Sequence, residues 1–401
     1  MPHKETLFSA VAIASSALAA LILVVAVDWL AGKLFEPSKK EVSWTIKGDD
    51  TLARYRQRTH PALVPEEAGL LAGTGVLAAD GPIYEERLRF APSIGQAKFM
   101  PFPGRTFLVP ENFEGRFFNC VDGFRRTVQD SSRVSAPPVY VIGGSTVFNG
   151  DTIDAQTLPS RLAARWKSIL GTQPAIVNLG VNAQHSNQER ERIEYESGLR
   201  LPAMVVVYGG VNELAIKVYY GIRGVPLTRV FQKEESLLQK IARKSNIVQM
   251  VRDQPEVSTE RIDDAIRTWT IRAANEYIEN LKRIEKLGRE RGFAVWYFFQ
   301  PVLYTRASVS TRELQLIESF PDTLMARVFL LGYPIIRQHF LRFLQEDPAR
   351  RGADLSGMFD QMDGEVYRDM FHLLPHGNDL VAQAMLKQLA IRPVSGAGHT
   401  P

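Results

Sequence analysis

Three side chains in this sequence stand where they could act together on an acyl group. The stretch Val141-Ile142-Gly143-Gly144-Ser145-Thr146-Val147-Phe148 closes an apolar run with two glycines and a serine. Paired glycines permit a tight turn that lifts the Ser145 hydroxyl above the end of a strand. The same residues suit a helix N-cap or a phosphate-cradling loop. The phosphate reading lacks both the G-x-x-x-x-G-K-S/T pattern and a complete G-x-G-x-x-G. Far downstream, Tyr367-Arg368-Asp369-Met370-Phe371-His372-Leu373-Leu374-Pro375-His376 sets Asp369 three residues before His372. A carboxylate at that distance can hold the imidazole in one tautomer, and an imidazole so held can deprotonate a serine. His372 and His376 also invite a metal-binding reading. The zincin pattern, however, needs Glu directly after the first His, and Leu373 stands there, with Pro375 interrupting a regular turn.

Two further blocks supply hydrogen-bond donors. In Asn178-Leu179-Gly180-Val181-Asn182 the glycine leaves a backbone N–H unobstructed, and in Tyr208-Gly209-Gly210-Val211-Asn212-Glu213 the glycines give the Asn212 amide reach. Either block alone is equally an ordinary turn. The elements that must position them follow from hydrophobic pattern. Val139–Ile142, Ala175–Leu179, Met204–Tyr208 and Ala294–Phe299 are nearly continuous apolar runs, as expected of strands buried on both faces. Leu158–Leu170, Asn187–Leu199, Thr259–Arg291 and Asn378–Leu389 have helical periodicity. Alternation of this kind implies a parallel sheet covered by helices, with ligands gathered at the carboxyl ends of the strands. Each of the three glycine-bearing blocks sits at such an end, and Asp369-x-x-His372 precedes the last helix.

In that order and context, the four blocks resemble the SGNH (GDSL-like) hydrolase superfamily over roughly residues 138–390, with a long insertion after Leu214. Asn119-Cys120-Val121-Asp122-Gly123-Phe124-Arg125 is similar to the lead-in of membrane-anchored members. The resemblance implies a three-layer α/β/α flavodoxin-like sandwich with a parallel sheet. It implies Ser145 as nucleophile, His372 as general base and then acid, and Asp369 as its orienter. The oxyanion hole would comprise the Ser145 and Gly180 N–H groups and the Asn212 amide. Two positions depart from the family pattern: Gly144 replaces an Asp before the serine, and Glu213 replaces an Asp after the asparagine. The implied activity is ester hydrolysis on O-acyl groups of a glycan or lipid. The alternatives are O-acyl transfer to an exported polysaccharide and a non-catalytic scaffold on the same fold. No cofactor or metal is implied, and protein partners are not indicated.

The 401-residue chain carries 45% hydrophobic and 23% charged residues, which excludes a disordered chain or a multi-span membrane protein. A net charge of +4 without a dense basic block gives little support to a nucleic-acid partner. With one cysteine, Cys120, an intramolecular disulfide or a multi-Cys metal site is excluded. Residues Leu7–Val27 form 21 consecutive uncharged positions, the length a membrane-spanning helix needs. The run continues past the small-residue site Ala17-Leu18-Ala19, so an uncleaved signal anchor is expected. A literal count of the flanking Lys4, Lys33, Lys39 and Lys40 would put the large domain in the cytoplasm, but long domains translocate largely regardless of such charges, and with the resemblance to membrane-anchored members the extracytoplasmic (periplasmic or extracellular) side is expected. The expected organisation is an anchor over 1–35, a juxtamembrane linker and extension over 36–137, a hydrolase-like domain over 138–392 and a tail over 393–401. A strand is expected at Thr106–Val109 in the extension. Ala215–Ser258 is expected to form a lid and 302–365 a second one. Tyr208, Trp296, Tyr297 and Tyr304 lie near strand ends, where a ring could stack on a sugar or simply fill the core.

Overall fold

The computed structural model describes residues 46–47, 98–115, 118–129, 137–150, 152–224, 257–320 and 322–391. The chain divides into two compact units, residues 1–48 with 228–259, and residues 49–227 with 260–401. In the first, the described part is a parallel pairing of Ile46–Lys47 with Val257–Ser258. The expected anchor at 7–27 lies outside the described residues. Among the described residues no helix is long and apolar enough to cross a membrane.

Among its described residues the second unit carries ten strands: β1 (Phe99–Pro101), β2 (Leu108–Pro110), β3 (Phe113–Glu114), β4 (Asn119–Val121), β5 (Phe124–Arg125), β6 (Val139–Gly143), β7 (Ile176–Asn178), β8 (Met204–Gly209), β9 (Ala294–Phe299) and β10 (Arg351–Asp354). β1 and β2 pair as an antiparallel ribbon, and the other eight form one sheet in the order β10-β9-β8-β6-β7-β5-β4-β3. The first five are parallel and the last three antiparallel. Numbered among themselves, the parallel strands run 2-1-3-4-5, the order of doubly wound flavodoxin-type sheets. The chain reverses direction of travel between β6 and β8, so a crevice opens at their carboxyl ends. Ser145 follows β6 and Asn212 follows β8.

Among the described residues the helices that accompany the sheet include α1 (Ser145–Phe148), α2 (Leu158–Leu170), α3 (Ser186–Leu199), α4 (Thr259–Arg291), α5 (Thr311–Glu318), α6 (Thr323–Gln345) and α7 (Pro375–Ile391). α2 begins at Thr157, whose hydroxyl accepts from Ser160 N–H, and ends at Gly171 in the left-handed region at φ 72°. α7 packs against α2, where Arg165 and Asp379 form an ion pair.

Two expectations are corrected. Residues 302–365 are not a lid. They contain α5, α6 and β10, the last pairing in register with β9 from Trp296↔Arg351 to Phe299↔Asp354. α6 buries Leu324, Val328, Phe329, Tyr333, Ile336, Phe340 and Phe343. Its apolar residues are too dense for a clean stripe, and the sequence Arg-Gly-Ala-Asp of β10 has no hydrophobic signal at all. Likewise the start of the supposed first lid is core. Glu213–Val218 forms a π-helical turn whose Leu214 and Val218 are fully buried; 225–256 lies outside the described residues. Tyr208, Trp296, Tyr297 and Tyr304 are at most 2% exposed, so all four fill the core and offer no ring to a sugar.

The extension adds strands to the same sheet. Asp122 and Gly123, both at positive φ (52° and 80°), join β4 to β5 in a two-residue turn. Asp-Gly is the dipeptide that tolerates both positions of such a turn. The turn brings Arg125 under the end of α1. Its guanidinium lies 3.4 Å from the Phe118 ring centroid, 5.7 Å from that of Phe148, and 3.0 Å from Asp154.

β6 and β8 approach so closely that position 143 has no room for a side chain. A Cβ on Gly143 would lie 2.2 Å from the Tyr208 carbonyl oxygen and 2.6 Å from Val147 Cγ2. Gly143→Ala is expected to lower unfolding free energy by about 1–3 kcal/mol through overpacking. Urea denaturation of the two proteins checks this, and an unchanged midpoint contradicts it.

Candidate active site

Ser145 opens α1. Gly144 precedes it, and the Gly144 carbonyl accepts from Val147 and Phe148 N–H at 3.1 Å each. This short turn presents the Ser145 hydroxyl to His372, whose Nε2 lies 2.8 Å from Oγ although 227 residues separate them. On the other side of the ring, Nδ1 lies 2.8 and 3.0 Å from the two Asp369 oxygens. With its proton on Nδ1, His372 donates to Asp369 and offers a bare Nε2 to the serine hydroxyl. Asp369 Oδ1 also accepts from the backbone N–H of Phe371 (2.9 Å) and His372 (2.8 Å). Burial pushes the Asp369 carboxyl up, but the His372 hydrogen bond and charge and these two N–H groups outweigh it and hold the pKa at about 2.

The loop carrying Asp369 and His372 is fastened from α5. Glu313, fully buried, accepts from Val366 N–H (2.9 Å) and Tyr367 N–H (3.1 Å) and pairs with the equally buried Arg306. Within the loop, Arg368 N–H reaches the His372 carbonyl (2.9 Å), Leu374 N–H reaches Val366 O (2.8 Å), and Leu303 N–H reaches Met370 O (3.1 Å). Sequence reasoning missed Arg306 and Glu313. The S-x-x-E pattern at Ser310 and Glu313 is a capping-box signal and was available, but nothing in it says that the glutamate reaches a loop fifty residues on.

Asn212 is brought to the serine turn. A Cβ on Gly144 would lie 2.0 Å from Asn212 Nδ2, so glycine is what this packing admits. One Asn212 N–H is given to the Gln184 carbonyl at 2.7 Å. Gly180 is placed otherwise than expected. Its N–H donates to Asn178 Oδ1 at 2.9 Å, and Asn178 Nδ2 donates to Val147 O at 3.0 Å. The role its missing side chain plays is close packing, because a Cβ there would meet Phe148 N at 2.3 Å.

The segment that touches Asn212 is the next turn, 181–184, closed by Gln184 N–H to Val181 O at 3.2 Å. Ala183 sits in it at φ 59°, a conformation L-residues adopt at a cost of about 1–2 kcal/mol. No described residue accepts from the Ala183 or Ser145 N–H. An alanine in a left-handed turn leaves no mark in sequence, which is why this segment went unnoticed.

Two further histidines among the described residues take no part in this contact. His376 Nε2 donates to Glu365 O at 2.6 Å. His185 is buried ahead of α3, and burial lowers its pKa to about 4, so it is neutral. The site therefore has one imidazole between a hydroxyl and a carboxylate, an arrangement that can activate the hydroxyl as a nucleophile and return the proton to a leaving group.

No protein-family model matches the chain, and no curated protein matches it. Its structural neighbours are GDSL-type lipolytic proteins and acetylxylan esterases. A member of the lipolytic G-D-S-L family from Veillonella parvula is 13% identical, with 62% of this chain and 96% of that one covered at a TM-score of 0.36. A GDSL-like lipase from Bacteroides thetaiotaomicron is 12% identical (64% and 88% covered, TM-score 0.34). A catalytic mutant of an acetylxylan esterase from Geobacillus stearothermophilus is 12% identical (64% and 95%, TM-score 0.38). The chain itself is an α/β protein with a mainly parallel central sheet flanked by helices.

The depressed Asp369 pKa makes the loop sensitive to acid. A carboxyl held at about 2 when folded, against an ordinary value of 3.8, adds stability that is complete above about pH 4 and is lost as pH falls toward 2. Asp369→Asn lacks this contribution. The stability difference between wild type and Asp369→Asn is therefore expected to shrink as pH drops from about 4 to 2, as followed by urea midpoints. A constant difference contradicts the assignment.

Proposed function

We propose that this chain is a serine-dependent ester hydrolase. The observation that carries the proposal is the continuous contact from Ser145 Oγ through His372 to Asp369. In the first step Ser145 Oγ attacks the ester carbonyl carbon while His372 Nε2 takes the hydroxyl proton. The tetrahedral oxyanion is held by the Ser145 N–H and the second N–H of Asn212. The third donor is the Ala183 N–H, next to the Gln184 that Asn212 touches, and not the Gly180 N–H, which is given to Asn178. His372 then gives its proton to the departing alkoxide, leaving an acyl-serine. In the second step water loses a proton to His372 and attacks the acyl carbon; the bond from that carbon to Ser145 Oγ then breaks, His372 returns the proton to Oγ, and the acid is released. Asp369 keeps the imidazole in the productive tautomer and stabilises the imidazolium between steps.

The substrate class within the proposal is an O-acyl ester of a glycan or lipid close to a membrane. The uncharged run 7–27 supports the membrane part, as an anchor holding residues 138–392 on the extracytoplasmic side.

A fluorophosphonate probe on the purified full-length chain is expected to label Ser145, and p-nitrophenyl esters of increasing chain length and glycan acetates are expected to be hydrolysed. Asn212→Ala is expected to slow turnover roughly 10²–10³-fold, and Ser145→Ala or His372→Ala more, since they act as a unit. Turnover by Ser145→Ala near the wild-type rate overturns the proposal. Gly144→Ala is expected to slow turnover as well, because its Cβ would occupy the space of the Asn212 amide. Wild-type turnover by that variant contradicts the placement of Asn212 in the site.

A further inference from the structure

The residue after Asn212 is a glutamate buried to 2% exposure, and its carboxylate does two things at once. Oε1 accepts the backbone N–H of Ser186 at 2.7 Å, and Oε2 lies 2.8 Å from the ammonium of Lys217, itself 7% exposed. Lys217 in turn reaches Asn187 Oδ1 at 2.5 Å and Glu276 Oε2 at 3.2 Å. Asn280 closes the group, donating to Ser186 Oγ at 3.1 Å. Residues 184–187 are thus held at three points by one stretch of chain. Asn212 takes the carbonyl of 184, Glu213 the amide of 186, and Lys217 the side chain of 187. Glu213 and Lys217 are i and i+4 in the π-helical turn Glu213–Val218. Such widened turns recur at functional sites.

We propose that Glu213, with Lys217 as its counter-ion, is a positioning residue that fixes the direction in which the Asn212 amide points. The inference rests on the serine-hydrolase reading above. A primary amide nitrogen has two coplanar hydrogens. Once one is committed to the Gln184 carbonyl, the direction of the other is set by where that carbonyl sits. The carbonyl is two residues from the Ser186 N–H that Glu213 grips. Releasing the grip lets the 184–186 segment shift, and the amide turns with it. Misplacement of a reacting or stabilising group by about 1 Å is worth up to ~10²-fold in rate. The acidic residue following Asn212 therefore serves the chemistry without touching substrate.

The test is the second-order rate at which a fluorophosphonate labels Ser145 in the full-length chain, because phosphonylation passes through the same oxyanion geometry. Glu213→Ala is expected to slow labelling ~10–100-fold, and Glu213→Gln, which keeps an acceptor for Ser186 N–H, to recover most of the loss. The decisive comparison is the double-mutant cycle with Asn212→Ala. In that background Glu213→Ala is expected to cost nothing further, since the group it positions is gone. Lys217→Met, which removes both the counter-ion on Glu213 Oε2 and the bond to Asn187, supplies the same cycle should Glu213→Ala fail to fold. Labelling of Glu213→Ala at the wild-type rate overturns the inference. So does an equal slowing with and without the Asn212 side chain, which is the behaviour of a purely structural ion pair. An unlabelled wild type is a separate outcome, which removes the serine-hydrolase reading and this inference with it.

Discussion

The two glycines before Ser145 occupy a gap between strand ends that has no room for one more carbon atom. At 143 the obstacle is the backbone of the neighbouring strand, and at 144 it is the amide of Asn212. Because those two contacts are so close, the serine turn lies directly against the end of β8 and against the Asn212 amide, with no room for a side chain between them. The flavodoxin-type strand order makes this proximity possible, since it sets β6 and β8 side by side although three helices and a strand separate them along the chain. The rest of the fold can be understood as holding that junction from several sides.

Below it, the antiparallel strands of the extension place Arg125 against Phe118 and Phe148, with Asp154 as its counter-ion. Phe148 is the last residue of α1, so the packing braces the helix that Ser145 begins. A cation over aromatic faces is worth most where water is excluded, and Arg125 is 1% exposed. Beside it, Glu213 and Lys217 fix the 184–187 segment. Opposite, Arg306 and Glu313 fix the loop that brings His372 in. Each support is a buried ion pair whose carboxylate also accepts backbone N–H groups. Desolvation makes such pairs weak sources of net stability, but their hydrogen bonds are directional, and holding a loop in register needs direction more than strength.

Much of this arrangement was legible beforehand. The strands β6 to β9 announce themselves as apolar runs, and α4 was bounded residue for residue at Thr259–Arg291 by its periodicity. β10 was invisible because a short edge strand of Arg, Gly, Ala and Asp carries no hydrophobic pattern. α6 was hidden by the opposite fault, too many apolar residues to show a stripe. The aromatics near the strand ends divided by burial alone, a property that composition does not carry. Gly180 was expected to leave its N–H open to the site, whereas that N–H meets Asn178 and the missing side chain makes room for Val147 and Phe148; close packing and an open N–H leave the same trace in a sequence.

By itself the sequence determined which residue types stood at the ends of which strands, because burial on both faces forces apolar runs and tight turns force glycine. It also placed Asp369 within reach of His372, since three residues of separation is a local relation. Tertiary structure alone decided that the imidazole meets a hydroxyl 227 residues away, that the 181–184 turn and not Gly180 faces Asn212, and that Glu213 looks inward to Ser186 and Lys217. Those are distances between segments remote in the chain, and they are fixed by strand order and packing, which no local pattern encodes.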